Sequence, residues 1–323
     1  MLCPPLNGGG KPSPGVRGEG EGVGVNGRDT AEPQKRDRGP FPTETDAKHG
    51  RTGCIYCNPR GSGTGAFARG VAIRDQVGQG MGFLAKRFGC RKFISYFQSF
   101  TNTYAPVETL ERIYREALSR PDVVGLAVGT RPDCVPDPVL DLLAELARER
   151  VVWVEYGLQS VHARTLALIN RGHGPETFFD AVERTHARGI EVVVHLILGL
   201  PGESLLDMQE TARAVTRAGV QGVKLHPLYV VRGTVLERKL LSGSYECLSE
   251  EAAQEAIMGV LEALDPETVI HRLTSDPHAE ELVAPLWMLD RAGVRTRLAK
   301  AMQARDFRQG LEFRIMNDRA QGL

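Results

Sequence analysis

The sequence lacks any long hydrophobic run, any net charge and any apolar leader. No stretch reaches the roughly 18 apolar residues of a membrane helix, and the longest, residues 192–200, is interrupted by His195 and Gly199. The 40 Lys and Arg residues equal the 40 Asp and Glu residues, so no overall basic charge points to nucleic acid. The opening residues MLCPP form no signal core. We therefore expect a cytoplasmic protein that does not contact membranes.

The cysteines also lack the close, regular spacing of a disulfide framework. The six cysteines, at positions 3, 54, 57, 90, 134 and 247, are scattered except for Cys54 and Cys57. Scattered cysteines in a cytosolic chain are expected to stay reduced. Only the Cys54–Cys57 pair therefore suggests chemistry.

Glycine and proline are concentrated at one end of the chain. Residues 1–53 contain 12 Gly and 7 Pro but only 10 hydrophobic residues, whereas the other 270 residues have ordinary globular composition. We expect three segments: a Gly/Pro-rich disordered or mistranslated tail over 1–52, a core domain over 53–290, and a basic C-terminal extension over 291–323. That extension has eight Lys or Arg and three Asp or Glu.

Beyond residue 90, short apolar runs alternate with longer amphipathic segments. The spacing predicts helices that begin near Pro106, Asp137, 162, 175, Ser204 and 250, with Ser204 and Asp207 as a capping box and Asp137 as a cap. It predicts strands over 92–96, 123–128, 151–158, 191–198, 221–229 and 268–273. Repeated strand–helix units indicate an α/β fold with a parallel sheet, either doubly wound or a barrel.

Polar side chains cluster where the predicted strands end. These residues are Gln98, Arg131, Gln159, His195 and His226. Parallel α/β folds build their sites at the carboxyl ends of the strands. Because successive strands contribute, a barrel or partial barrel is favoured, with a site at this edge.

Two cysteines separated by two residues occur in three kinds of site: a structural zinc site, a thioredoxin-like redox pair and an iron–sulfur cluster. A structural zinc site would need a second such pair or a pair of histidines nearby, which the sequence lacks. A thioredoxin-like pair would open a helix, whereas a glycine-rich segment, NPRGSG at 58–63, follows here. An iron–sulfur cluster is the remaining interpretation.

Several ordered motifs resemble those of the radical S-adenosylmethionine (radical SAM) superfamily. They are GTRPD at 129–133, EYGLQS at 155–160, INRGH at 169–173 and HLILGLPGE at 195–203. Three further segments resemble the YhcC-like bacterial subfamily: YFQSFTNTY at 96–104, residues 129–136 and KLHPL at 224–228. This subfamily is related to the Elongator catalytic subunit and to oxygen-independent coproporphyrinogen oxidase. The resemblance covers about residues 53–290.

The resemblance implies a fold and a chemistry. The fold would be a partial (β/α)6 TIM-like barrel, whose first strand is missing or degenerate in this sequence. The cofactors would be a 4Fe-4S cluster, held by three cysteines, and SAM, which the reduced cluster cleaves to give a radical that abstracts hydrogen from a substrate. A small reductase or flavodoxin-type protein would supply electrons. The substrate is unknown, with RNA conceivable by analogy with the Elongator relatives.

The resemblance also implies roles for individual residues. Cys54 and Cys57 match the last two cluster ligands. Gln98 matches a contact to the methionyl amino group of SAM, Glu155 and Gln159 match residues near the ribose, and Arg171 is expected to pair with the carboxylate. His195 and Gly199 match the strand and turn beside the adenine, and His226 is expected to face the substrate. Without the resemblance, these residues also fit ordinary roles as rim polar groups, a strand-to-helix turn and structural histidines.

The sequence departs from the family pattern at the first cluster cysteine. The subfamily places it about a dozen residues before the pair, where this chain has Phe41 followed by Pro42. Cys3 is the only cysteine upstream. We therefore expect residues 1 to about 50 not to represent the family's N-terminal segment, through a shifted reading frame, a misassigned start or degeneration. A catalytically impaired SAM-binding homologue is the resulting alternative.

Two other hypotheses compete with these. One is an unrelated α/β-barrel enzyme, such as a lyase that uses Lys224 or His226, with Cys54 and Cys57 structural. The other is that the basic residues after 291 bind a polyanionic substrate, although a solvated helix over 294–305 with a frayed end is the favoured explanation for them.

Overall fold

The structure is a computed structural model that describes residues 24–25, 53–57, 71–98 and 101–320, with only the backbone at 24–25 and 316–320. The tail predicted over residues 1–52, including Cys3 and Phe41, lies outside these residues apart from 24–25. Across the described part of the chain, no helix combines the length and the apolar character needed to cross a membrane.

Helices and strands alternate along most of the described chain. The helices are α1 (Ile73–Phe88), α2 (Val107–Ala117), α3 (Asp137–Ala147), α4 (Ala163–Leu168), α5 (Pro175–His186), α6 (Leu205–Arg217), α7 (Val235–Leu241), α8 (Glu250–Ala263), α9 (Arg291–Ala304) and α10 (Leu311–Ala320). The strands are β1 (Gly24–Val25), β2 (Phe93–Phe97), β3 (Val123–Thr130), β4 (Val151–Gln159), β5 (Glu191–Leu198), β6 (Gly222–Pro227), β7 (Val230–Val231), β8 (Val269–Arg272) and β9 (Leu282–Ala284). Every predicted strand and helix beyond residue 90 is present.

The main sheet follows the order of the chain. Its strands are arranged β1-β2-β3-β4-β5-β6-β8, and β2–β6 with β8 form the six-strand parallel sheet of a partial (β/α)6 barrel. The first strand, expected to be missing or degenerate, has two residues, which pair in parallel with Tyr96 and Phe97 of β2. β7 and β9 form a separate antiparallel pair, which the sequence did not predict.

Of the two helix caps predicted from the sequence, one is confirmed and one is wrong. Ser204 and Asp207 form the expected capping box at α6. Asp137 does not cap α3, because Pro136 occupies the N-cap position and Asp137 is the first helical residue. Its carboxylate instead pairs with Arg184 at 3.1 Å. Helix α1 was not predicted, since glycines at 78, 80 and 82 weaken its amphipathic pattern.

The described residues divide into two compact units whose boundary falls within β4 and β5. Unit 1 comprises 24–25, 71–98, 101–157 and 177–193, and unit 2 comprises 53–57, 158–176 and 194–320. In unit 1, one face of the strands carries a cluster of Ile94, Tyr96, Ala127, Trp153 and Val193. The alternating residue Phe97 meets Tyr114 of α2 edge to face, with ring centroids 5.3 Å apart.

The core of unit 2 includes the segment that carries the cysteine pair. Ile55 is buried in a cluster with Leu166, Ile169, Ile197, Leu200, Leu228, Val230, Leu236 and Tyr245. Tyr56 packs against the same cluster. Hydrophobic burial therefore anchors the loop between Cys54 and Cys57 to β5 and to the helices α4 and α7.

The basic residues near the C-terminus are largely engaged in ion pairs. Arg291 faces Asp276, Arg297 pairs with Glu250 and Asp290, Arg305 pairs with Glu255, and Arg308 pairs with Asp306. These pairs are exposed and contribute little to stability. They do, however, neutralise much of the charge that suggested a polyanion-binding surface, so the solvated-helix interpretation is favoured for α9.

Candidate functional site

The cysteine loop, residues 53–57, forms a tight turn. The Cys57 N–H donates to the Cys54 carbonyl at 3.1 Å, and neither cysteine forms a disulfide. Cys54 is buried and Cys57 is half-buried. The turn thus places the two sulfur-bearing residues of the predicted metal site side by side.

Three consecutive residues from the INRGH motif hold this loop. The Ile169 carbonyl accepts the N–H of Ile55 at 3.0 Å, and Asn170 Nδ2 donates to the Gly53 carbonyl at 3.1 Å. Arg171 Nη1 donates to Cys54 Sγ at 3.7 Å. The motif and the cysteine pair are more than 100 residues apart in sequence, and the fold brings them into direct contact.

The environment of Cys54 favours the thiolate. A hydrogen bond with Cys57 lowers the pKa of the Cys54 thiol, burial opposes this, and the charge of Arg171 and hydrogen bonds from Arg171 and Tyr56 add to the lowering, for a pKa of about 5. The thiolate is the metal-binding and nucleophilic form of cysteine. Cys54 is therefore prepared for either role near neutral pH.

Glu155 is a buried carboxylate in unit 1 with hydrogen bonds to both oxygens. Tyr96 donates to Oε2 at 2.6 Å and Trp153 Nε1 donates to Oε1 at 2.9 Å. The side chain is only 1% exposed. Gln98, also in unit 1, is half-buried directly after β2, and the period of the strand places it on the same face as Tyr96. Their predicted roles toward SAM remain predictions.

Gln159, the last residue of β4, has a strained backbone. Its φ is +75°, in the left-handed region that non-glycine residues rarely adopt. The half-buried side chain lies at the strand end where the sequence predicts the site. Strain of this kind is concentrated at functional sites, so it singles out Gln159 among the rim residues.

His195 and His226 form a pair in unit 2. His195 Nδ1 and His226 Nε2 are 3.2 Å apart, and the rings stack with centroids 5.1 Å apart and an interplanar angle of 19°. His226 is the penultimate residue of β6, and His195 lies in the second half of β5. The contact is a hydrogen bond between the two facing nitrogens, and the tautomers of the two rings determine which of them donates.

Gly199 is required by the fold of unit 2 itself. Its φ is +80°, and a Cβ at this position would lie 2.7 Å from Leu248 Cγ. Its carbonyl accepts a hydrogen bond from Tyr245 Oη at 3.0 Å. These contacts explain the glycine through packing, and the approach of its backbone to adenine remains a prediction.

Two features of the site were missed by sequence reasoning. Asn170 binds the cysteine loop, and its φ of +57° gives a local reason for asparagine, which tolerates this conformation. Ser160 donates to Glu203, so the EYGLQS and HLILGLPGE motifs are joined directly, and burial raises the pKa of Glu203. An Asn next to Arg-Gly is a turn signal, whereas nothing local signals the Ser160–Glu203 contact.

Cys54 and Cys57 supply part of the ligand set that an iron–sulfur cluster needs. A cluster with one open iron needs three protein thiolates, and Cys54 and Cys57 offer two. Among the described residues, no third His, Cys, Asp or Glu ligand atom joins them within 4.8 Å. The position expected for the third cysteine, residue 41, lies outside those residues. The described residues thus supply two of the three cysteine ligands that the cluster needs.

One of the cysteines outside the pair is not reduced as the sequence analysis expects. Cys90, buried after α1, is disulfide-bonded, which corrects the expectation that all six cysteines are reduced. Cys134 and Cys247 are half-buried and form no disulfide.

Comparison with known proteins identifies the family. The model of the Radical SAM superfamily matches residues 50–215, and that of the Radical_SAM C-terminal domain matches residues 220–304. YtqA of Bacillus subtilis is 38% identical over 266 residues, covering 82% of this chain and 83% of that protein. YhcC of Escherichia coli is 36% identical over 248 residues, covering 76% and 79%.

A solved structure supports the fold. The archaeal Elp3 of Methanocaldococcus infernus matches with a TM-score of 0.59 at 21% identity, covering 73% of this chain and 60% of that chain. At this identity the likeness shows the fold alone, which is the partial barrel predicted from the sequence. With the matches above, it follows that the chain belongs to the radical SAM superfamily, with YhcC and YtqA among its relatives.

Proposed function

We propose that this chain is a radical SAM enzyme that binds a 4Fe-4S cluster through Cys54 and Cys57 and acts on a substrate not yet known. The observation that carries the proposal is the contact of the INRGH motif with the cysteine loop, which leaves Cys54 beside a buried guanidinium. Family membership argues against the alternative of an unrelated lyase with purely structural cysteines.

A 4Fe-4S cluster held in part by Cys54 and Cys57 would supply the electron for reductive cleavage of SAM, and this cleavage would provide the hydrogen-abstracting chemistry of the superfamily. The chain's own residues hold and orient the reactants. Cys54 and Cys57 would each hold one iron, and Cys54 is buried, so its sulfur would be shielded from water. A small reductase or flavodoxin-type protein is the proposed electron donor.

Other residues are proposed to bind SAM or substrate. Gln98 binds the methionyl amino group, Glu155 and Gln159 lie near the ribose, and Arg171 pairs with the carboxylate. His195 and Gly199 lie beside the adenine, and His226 faces the substrate. Support comes from the strained backbone of Gln159 and from the His195–His226 pair of β5 and β6.

The strain at Gln159 gives a test of its role. Gln159→Gly should raise the free energy of unfolding by about 1 kcal/mol, because glycine adopts the left-handed conformation without steric cost, and should weaken SAM binding. Urea unfolding and equilibrium SAM binding measure the two effects. Asp306→Gly is the matched control, since Asp306 has a φ of +46° in an exposed segment; it should change stability alone. Unchanged SAM affinity in Gln159→Gly would remove Gln159 from the binding site.

Anaerobic reconstitution with iron and sulfide tests the proposed function. We expect about four irons per chain and 5′-deoxyadenosine formation that requires both SAM and a reductant. Iron that stays at background after reconstitution would exclude this function for the chain.

A second candidate function is a SAM-binding homologue that does not catalyse. The observation in its favour is that the described residues supply two cysteine ligands where the cluster needs three. This candidate predicts SAM binding without formation of 5′-deoxyadenosine. An RNA substrate gains no support from the C-terminal segment, because its arginines at 291, 297, 305 and 308 are engaged with acidic groups.

A further inference from the structure

The turn formed by Ile169, Asn170 and Arg171 contacts three consecutive residues of the cysteine loop. Gly53, Cys54 and Ile55 are each bonded to one residue of this turn, through a side-chain amide, a guanidinium and a backbone carbonyl respectively. The loop is held from its other side as well, because the Leu236 N–H donates to the Ile55 carbonyl at 2.9 Å. Contacts with α4's following turn and with α7 therefore hold the loop from two sides.

The turn is itself rigidly anchored. The N–H of Arg171 donates to the Leu166 carbonyl and that of Ile169 to the Thr165 carbonyl, both at 2.9 Å, so the turn continues directly from α4. Asn170 and Gly172, at φ +57° and +83°, bracket Arg171 with left-handed conformations. This backbone directs the Asn170 and Arg171 side chains to the same loop. A conformation that costs energy persists only where surrounding contacts enforce it.

Arg171 is nearly fully buried, with 5% of its surface exposed. Removing a guanidinium from water is costly unless it is hydrogen-bonded and its charge is balanced. Its Nη1 donates to Cys54 Sγ at 3.7 Å, so this sulfur is one of the acceptors that offset the cost of burial. The planar guanidinium presents five N–H donors, so a bond to sulfur through one nitrogen leaves the predicted pairing of Arg171 with a carboxylate geometrically compatible.

We propose that Asn170 and Arg171 are positioning residues for the metal site. Asn170 holds the cysteine loop in its ligating conformation before any metal binds. Arg171 continues to donate to the Cys54 sulfur when a cluster is bound, and this donation raises the reduction potential of that cluster. Hydrogen bonds to ligand sulfurs and nearby charges are established determinants of such potentials. The second part rests on the proposed function, and the first part does not.

Hydrogen–deuterium exchange on the metal-free full chain tests the role of Asn170. Asn170→Gly keeps the left-handed backbone and removes the side-chain bond to Gly53. We expect the amides of residues 54–57 to exchange about five- to tenfold faster, while those of α2 are unchanged. Exchange of the loop at the wild-type rate would overturn the role of Asn170.

A redox titration of the reconstituted protein without SAM, followed by electron paramagnetic resonance, tests the role of Arg171. Arg171→Gln should shift the midpoint potential to a more negative value, and Arg171→Lys should restore most of the shift. Arg164→Gln is the matched control, because Arg164 is an exposed arginine on α4; it should titrate like the wild type. Leaving SAM out separates this role from carboxylate binding, which would change SAM affinity instead.

The outcomes separate the inference from the proposed function. A wild-type midpoint potential in Arg171→Gln would overturn the role of Arg171. A shift that Arg171→Lys does not reduce at all would overturn it as well, because it would indicate structural disruption. If the wild-type chain takes up no cluster, the proposed function and the Arg171 role both fail, while the exchange experiment still decides the role of Asn170.

Discussion

Replacing Cys54 or Cys57 by serine is expected to reduce bound iron to background and to lower 5′-deoxyadenosine formation by about 100-fold or more. Loss of residues that merely support a metal ligand already costs about 10- to 100-fold, and these two residues are the proposed ligands themselves. The measurements are iron per chain after anaerobic reconstitution and mass-spectrometric detection of 5′-deoxyadenosine.

Cys247→Ser provides the control for both cysteine variants. Cys247 is free and half-buried in the same unit, but it is not part of the cysteine loop. We expect its variant to retain iron and activity. Full iron content in Cys54→Ser and Cys57→Ser would contradict the assignment of the loop as the metal site.

Glu155→Ala is expected to lower the free energy of unfolding by about 2–4 kcal/mol. The substitution leaves the Tyr96 hydroxyl and the Trp153 indole N–H without the carboxylate that accepts from them. Both donors lie in the buried cluster of unit 1, where water cannot readily replace the lost acceptor. Urea unfolding followed by circular dichroism measures the effect.

Two further variants sharpen this prediction. Glu155→Gln keeps one acceptor oxygen of similar shape and should cost less than Glu155→Ala. Glu183→Ala removes an exposed glutamate from α5 in the same unit and should change stability by less than about 0.5 kcal/mol. If Glu155→Ala is no more destabilising than Glu183→Ala, the carboxylate does not organise this part of the core.

The sheet and most helices could be predicted because their signals are local. The apolar runs at 123–128 and 191–198 and the Ser204–Asp207 capping box each act within a few residues of chain. Helix α1 was not predicted because its glycines reduce the difference in hydrophobicity between its two faces. Strand β1, with two residues, is too short to give any periodic signal.

The site was predictable only as a set of residues, and its contacts were not. Tyr96 and Glu155 are 59 residues apart, and Asn170 and Gly53 are 117 residues apart. No periodicity or spacing encodes bonds over such distances, because they arise when the fold brings separate motifs together. The resemblance assigned Arg171 to the SAM carboxylate, and the geometry adds its contact with the Cys54 sulfur.

The most direct test of the central claim is the formation of 5′-deoxyadenosine by the reconstituted full chain. The account predicts that the product accumulates when SAM and dithionite are both present, and that omitting dithionite or replacing Cys54 by serine abolishes it. A wild-type chain that binds SAM and holds its iron, yet yields no 5′-deoxyadenosine under these conditions, would contradict the proposal of a radical SAM enzyme.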